Sequence, residues 1–125
     1  MTSNSSSNVV AIVDDDQSVQ SSLKDLMESA GISARCFGSA EEFLAWDERN
    51  QIACLVTDIR MPGMSGLELQ AQLNPEGSRI PIIFITARGS SKIKMQAMSA
   101  GAIEFLSKPF DDEVLLEKVR PTLDD

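Results

Sequence analysis

Histidine is absent from this 125-residue chain. No imidazole is therefore available as general base, metal ligand or phosphoryl carrier, and any chemistry falls to Asp, Glu, Lys, Ser, Thr or a thiol. Cysteine is nearly as scarce. Cys36 and Cys54 sit in apolar stretches without C-x-x-C spacing, so they read as small core residues of a chain in a reducing, cytoplasmic compartment. No apolar run approaches the roughly 18 residues of a membrane span, which sets membrane insertion aside. Basic residues are few: 11 Lys and Arg face 19 Asp and Glu, for a formal charge of −8. Direct nucleic-acid binding needs a basic footprint on the phosphates, and this balance argues against it. The opening MTSNSSSN has neither a basic n-region nor an apolar h-region, so residues 1–8 are expected to form a flexible polar leader.

What is present is a regular alternation. The length suits one packed core and not two. Val9–Val13 reads as a strand, followed by a helical pattern with Val19, Leu23, Leu26, Met27 and Ala30 on one face and Gly31 as its stop. Ile32–Phe37 is a second strand. Ser39 and Glu42 have capping-box spacing and open a short helix through Phe43, Leu44 and Trp46. Ile52–Val56 is a third strand ending at Thr57-Asp58. A turn with Pro62, Gly63 and Gly66 leads to a helix through Leu67, Ala71 and Leu73, which Asn74-Pro75-Glu76-Gly77 breaks. Ile80–Ile85 is a fourth strand that stops at Thr86, and a helix from Ser90 to Ala100 puts Ile93, Ala97 and Ala100 on one face. Ala102–Leu106 is a short fifth strand, and Asp111 or Asp112 caps a last helix with Val114, Leu115 and Val119, followed by Pro121. Strands that are near-continuous apolar runs, alternating with helices, predict an α/β doubly wound parallel sheet with helices on both faces.

The residues just past the strands carry the chemistry. Asp14-Asp15 follow the first run, Asp58 the third, Thr86 the fourth, and Lys108-Pro109 the fifth. In a parallel sheet these C-terminal ends share one edge, where open α/β sheets place their ligand crevice. Three carboxylates there need a cation. Hard oxygen ligands suit Mg²⁺, which takes one or two carboxylates and completes its shell with waters and phosphate oxygens. Lys108 and Thr86 then hold the remaining oxygens of a transferred phosphoryl group, and Asp58 is the nucleophile that forms an acyl phosphate. Asp16 lies past the strand end, where an acid suits the start of the first helix.

The segments VVAIVDDDQSVQSSL, LVTDIRMPGMSGLEL, IPIIFITAR and AGAIEFLSKPF, in this order, resemble the receiver domain of bacterial two-component response regulators over residues 9 to about 120. SAEEFLAW and TDIRMPGMSG are most similar to FixJ/NarL-like transcription regulators. The resemblance implies a five-stranded flavodoxin-like sheet of order 2-1-3-4-5 with five helices, in which the first strand separates Cys36 from Cys54 and makes a disulfide implausible. It implies that Asp58 is phosphorylated by a sensor histidine kinase or a small phosphodonor. Asp15 and Asp58 bind Mg²⁺ directly, Asp14 acts mainly through a bound water, and the backbone carbonyl of Arg60 adds a ligand. Lys108 contacts the phosphoryl group beside a cis bond to Pro109. Thr86 moves towards the phosphate on activation, and Phe105 is the aromatic switch that turns inward with it. The face made by the fourth helix, fifth strand and fifth helix then changes, to control a homodimer or contact with a C-terminal DNA-binding domain outside this chain. Residues 121–125 read as a tail or linker start. No enzyme activity is implied beyond self-phosphorylation and slow autodephosphorylation.

The chain departs from the family pattern at two places. Phe105 has no hydroxyl, so recognition that needs a Tyr OH is absent. Arg60 and Arg88 stand near the phosphoryl site at positions that influence phosphoryl lifetime. A rival reading takes Asp14-Asp15-Asp16-Gln17-Ser18 as D-x-D-x-S, similar to the first motif of haloacid-dehalogenase-type phosphatases, with Asp14 as nucleophile; it leaves Asp58 idle. A stand-alone phosphorelay or binding module is the other alternative. Met61 and Met64 are expected to pack, and Met95 and Met98 to line a partner surface.

Overall fold

Alternate side chains of the strands feed the two apolar layers of one domain, one on each face of a single sheet. The computed structural model describes residues 9–74, 80–87 and 90–123, with Asn50 by its backbone alone. The expectations about the leader, the break at residues 75–77 and Arg88 lie outside the described residues. The strands are β1 (Val9–Val13), β2 (Ser33–Phe37), β3 (Cys54–Thr57), β4 (Ile82–Thr86) and β5 (Glu104–Ser107). All pair in parallel in the order β2-β1-β3-β4-β5. The helices are α1 (Gln17–Ser29), α2 (Ala40–Leu44), α3 (Gly66–Leu73), α4 (Ser91–Ser99) and α5 (Asp112–Val119), with 3₁₀ turns at Arg49–Gln51 and Arg120–Thr122. This is the flavodoxin-like order expected.

In β1, Ala11 and Val13 face one core with Phe43, Leu55, Leu69 and Phe84, under α2, α3 and α4. Val10 and Ile12 face the other with Leu23, Met27, Ile83 and Leu115, under α1 and α5. Period-two alternation sends neighbouring residues to opposite faces, and right-handed crossovers put helices on both. Every helix begins with a side-chain cap: Asp16, Ser39, Ser65, Ser90 and Asp111 each accept a backbone N–H from the first turn. Among the described residues no helix is long and apolar enough to cross a membrane.

Several boundaries differ from expectation. β4 begins after Pro81, which has no N–H to give the ladder, and it includes Thr86, which pairs with Ser107. β3 and β5 likewise begin two residues later and end one residue later than expected. α2 stops at Leu44, and Trp46 lies beyond it, its ring centroid 5.2 Å from Phe37 and 6.4 Å from Phe43. Ala100 is an exposed C-cap, and Ala97 is the buried residue of α4. The capping box expected at Ser39 and Glu42 is half formed: Ser39 accepts from Glu42 N–H, but Glu42 Oε1 accepts from Gly38 N–H. A reciprocal box stands instead at Ser65 and Glu68. Two amide side chains of α3 reach the C-terminal end of α4: buried Gln70 donates to the Ala97 carbonyl at 3.0 Å, and Asn74 donates to the Ala100 carbonyl at 3.2 Å.

Cys36 on β2 and Cys54 on β3 flank β1 as free thiols. Burial pushes the Cys54 thiol up to about 12, so it stays protonated and inert at neutral pH. Met61 is buried and Met64 packs against the first core, as expected.

Candidate functional site

The sheet itself places the acids. Asp14 N–H donates to the Phe37 carbonyl at 3.1 Å and Asp58 N–H to the Val13 carbonyl at 3.1 Å, so both backbones continue the parallel ladders one residue past their strands. Carboxylate oxygens of Asp14, Asp15 and Asp58 lie within 4.8 Å of one another. Lys108, following β5, reaches between two of them, its Nζ 3.6 Å from Asp14 Oδ2 and 3.5 Å from Asp58 Oδ2. Lys108 N–H donates to the Thr86 carbonyl at 2.8 Å, which ties the lysine to the end of β4. The Lys108–Pro109 bond is cis. Four residues from three separate strand ends thus converge on one point.

Asp14 is 3% exposed, and burial is the main reason its carboxyl is held above the usual range. The neighbouring Asp58 and Asp15 push the same way, while the Asp16 N–H (2.9 Å from Oδ1) and Lys108 only partly offset this. A buried acid that resists ionisation is the site of stored cost that a cation relieves. Because the folded-state pKa is raised, the folded chain binds a proton more tightly than the unfolded chain. The ionised form therefore costs stability as pH rises above the ordinary carboxylate range. Asp14→Asn keeps an oxygen for the Asp16 N–H and removes the charge. In metal-free buffer at neutral pH it should raise Tm, because it removes a buried charge that the fold disfavours. The gain should fade as pH falls towards 4, which a pH series of thermal melts checks.

Asp16 belongs elsewhere. It caps α1, its Oδ1 accepting from Ser18 N–H at 2.9 Å and Ser18 Oγ–H at 2.7 Å, and these bonds hold its exposed carboxyl below the ordinary range. The acid required at the second position of the phosphatase-like reading is therefore turned to the helix and outside the cluster.

Other expected residues take definite places. Arg60 is exposed, and its N–H donates to Asp58 Oδ1 at 3.2 Å. Thr86 is 1% exposed at the end of β4. Phe105 is 7% exposed and already inward, its ring 6.5 Å from that of Phe84. A cavity of about 190 Å³ beside it is lined by Ser90, Ser91, Lys94 and Ser107.

Two supports had no distinct signal in the sequence. Gln20 Nε2 donates to the Asp14 carbonyl at 2.7 Å, from α1 across to the end of β1. Gly66 serves close approach rather than turn geometry. A Cβ there would sit 2.2 Å from the Asp58 carbonyl oxygen, while Gly66 N–H donates to the Ile59 carbonyl at 2.8 Å.

Three acids and a lysine gather at the C-terminal edge of a parallel α/β sheet, and comparison with known proteins gives the family. The family model of the response regulator receiver domain matches residues 10–120. The response regulator protein TodT of Pseudomonas putida is 45% identical over 115 residues, 92% of this chain and 51% of TodT. The transcriptional regulatory protein FixJ of Azorhizobium caulinodans is 42% identical over 114 residues, 91% of this chain and 54% of FixJ. The crystal structure of FixJ-N superposes with a TM-score of 0.84 at 38% identity, covering 98% of this chain and 94% of that one. The chain belongs to the response regulator receiver family. It spans about half the length of the curated relatives it matches.

Proposed function

We propose that Asp58 accepts a phosphoryl group from the phosphohistidine of a sensor kinase or from a small phosphodonor. A carboxylate oxygen of Asp58 attacks phosphorus, the bond from phosphorus to the donor nitrogen or oxygen breaks, and the electron pair leaves with the donor. The observation that carries this reading is the convergence of Asp14, Asp15, Asp58 and Lys108. Of the acids in that cluster, Asp58 is the one with Lys108 at hand and a side chain more open than Asp14, 13% against 4% exposed.

The donor set fits Mg²⁺: all ligands are hard oxygens, close enough to share one ion, and one of them is a buried acid whose charge needs compensation. Asp15, Asp58 and the Arg60 carbonyl would hold the ion, with Asp14 contributing through a water. When bound, Mg²⁺ supplies charge neutralisation for the incoming phosphoryl oxygens. Lys108 would orient those oxygens, and Thr86 would offer its hydroxyl on activation. The chemistry of the chain is then phosphoryl acceptance and slow loss. The test is direct: with Mg²⁺ and acetyl phosphate, intact mass should show one phosphoryl adduct. Steady turnover of many phosphate monoesters would instead return the phosphatase reading.

The receiver unit is residues 9–120, and Leu123 just past it still packs on the second core. Phosphorylation shifts the population of Thr86 and Phe105 and reshapes the α4–β5–α5 face. Met95 (69% exposed), Met98 (37%) and Ile103 (41%) on α4 and before β5 offer this face apolar surface for a homodimer or a C-terminal DNA-binding domain beyond this chain. On phosphorylation, amide NMR shifts should extend from the acceptor loop to α4, β5 and α5. Shifts confined to residues near Asp58 would refute the switch.

A further inference from the structure

We infer that Glu41, on α2, is a positioning residue for the acceptor loop, an inference that rests on reading Asp58 and Arg60 as Mg²⁺ ligands. The loop between β3 and α3 carries both. Most of its bonds named here close on itself: Arg60 N–H on Asp58 Oδ1, Gly66 N–H on the Ile59 carbonyl, and Ser65 N–H on Glu68 Oε1 of its own helix. One leaves it. Met64 N–H donates to Glu41 Oε2 at 3.0 Å, across 23 residues of sequence. The same carboxylate oxygen lies 2.8 Å from where a Cβ at Gly63 would stand. Gly63 has a φ of +76°, a conformation that favours glycine, and its missing Cβ leaves room for the carboxylate.

The base of this tie is firm. α2 is anchored by Phe43, 0% exposed in the first core, with Phe37 edge-on at 5.5 Å, and by the Ser39 cap. Glu41 lies in the first turn, where a carboxylate is favoured by the helix dipole. An N–H held by a carboxylate on a rigid element removes freedom from the loop before the ion arrives, so less ordering is left for binding to supply. The loop residue bonded, Met64, is four positions past the Arg60 carbonyl. Without the bond the loop keeps its inner contacts but loses its fixed relation to α2.

Calorimetric titration of Mg²⁺ into the chain tests this with no turnover involved. Glu41→Ala should weaken Mg²⁺ binding about threefold to tenfold, a part of the worth of one hydrogen bond to a charged group, with Tm nearly unchanged because Glu41 is exposed. Amide exchange at Met64 should accelerate in step. Glu41→Gln, which keeps an acceptor oxygen and loses the charge, should restore most of the affinity. Equal affinity in wild type and Glu41→Ala would overturn the inference. Equal losses in the Ala and Gln variants would overturn it too, by reducing the effect to charge. A wild-type chain that binds no Mg²⁺ would refute the metal site itself, an outcome distinct from both.

Discussion

Asp58→Asn should end phosphoryl incorporation altogether. Asparagine is nearly isosteric, keeps an oxygen for the Arg60 N–H, and leaves the ladder bond of residue 58 to Val13 untouched, so the fold is expected to survive. What disappears is the anionic nucleophile: an amide oxygen does not form a stable acyl phosphate. The chain incubated with Mg²⁺ and acetyl phosphate should then show only its unmodified mass. Asp14→Asn differs, because it removes a charge neighbouring the site and not the attacking atom; labelling should slow and demand more Mg²⁺ without vanishing. The reverse pattern, labelling kept in Asp58→Asn and lost in Asp14→Asn, would transfer the nucleophile to Asp14.

Among the glycines of the described residues, Gly66→Ala should be the most damaging to this fold. The new Cβ would meet the Asp58 carbonyl oxygen at 2.2 Å and the Ile59 Cα at 3.1 Å. Both are backbone, so no side chain can swing aside. Overpacking of this kind costs about 1–3 kcal/mol or more, and relief requires α3 to move from the end of β3. Tm should drop by roughly 4–10 °C for that cost in a domain of this size. Phosphorylation should fall further than stability does, because the displaced atoms belong to the acceptor residue itself. A variant that melts and labels like wild type would show that the loop relaxes freely.

The fold was legible because the physics that sets it is repeated along the chain. Five apolar runs, each followed by a helical period and a polar cap, leave few topologies open, and the acids stood at the run ends where the sheet gathers them. Boundaries were less legible. Pro81 moved the start of β4, and Trp46 had apolar character without helical state because its ring packs on Phe37 and Phe43 from beyond the helix. Of the site, Asp14, Asp15, Asp58 and Lys108 could be named from sequence, since a carboxylate or lysine at a strand end declares its chemistry. Gln20, Glu41 and Gly66 could not be assigned. Their roles exist only in contacts between segments distant in sequence: Glu41 shows as a helix-start acid, and Gly66 as one more turn residue.

Gln70 and Asn74 give the fourth helix an anchored end. Both bonds grip the carbonyls at its C-terminus, so a disturbance arriving beside Ser90 and Thr86 meets a rod pinned at its far end. Such a rod pivots. Over its nine residues, about 13 Å at the usual helical rise, a tilt of about 10° carries Ser91 by about 2 Å while Ser99 hardly moves. A tilt there would make the first turn of α4 the long arm of a lever held at its other end by Gln70 and Asn74, and α3, which carries Gln70, starts on Gly66, packed against the Asp58 carbonyl.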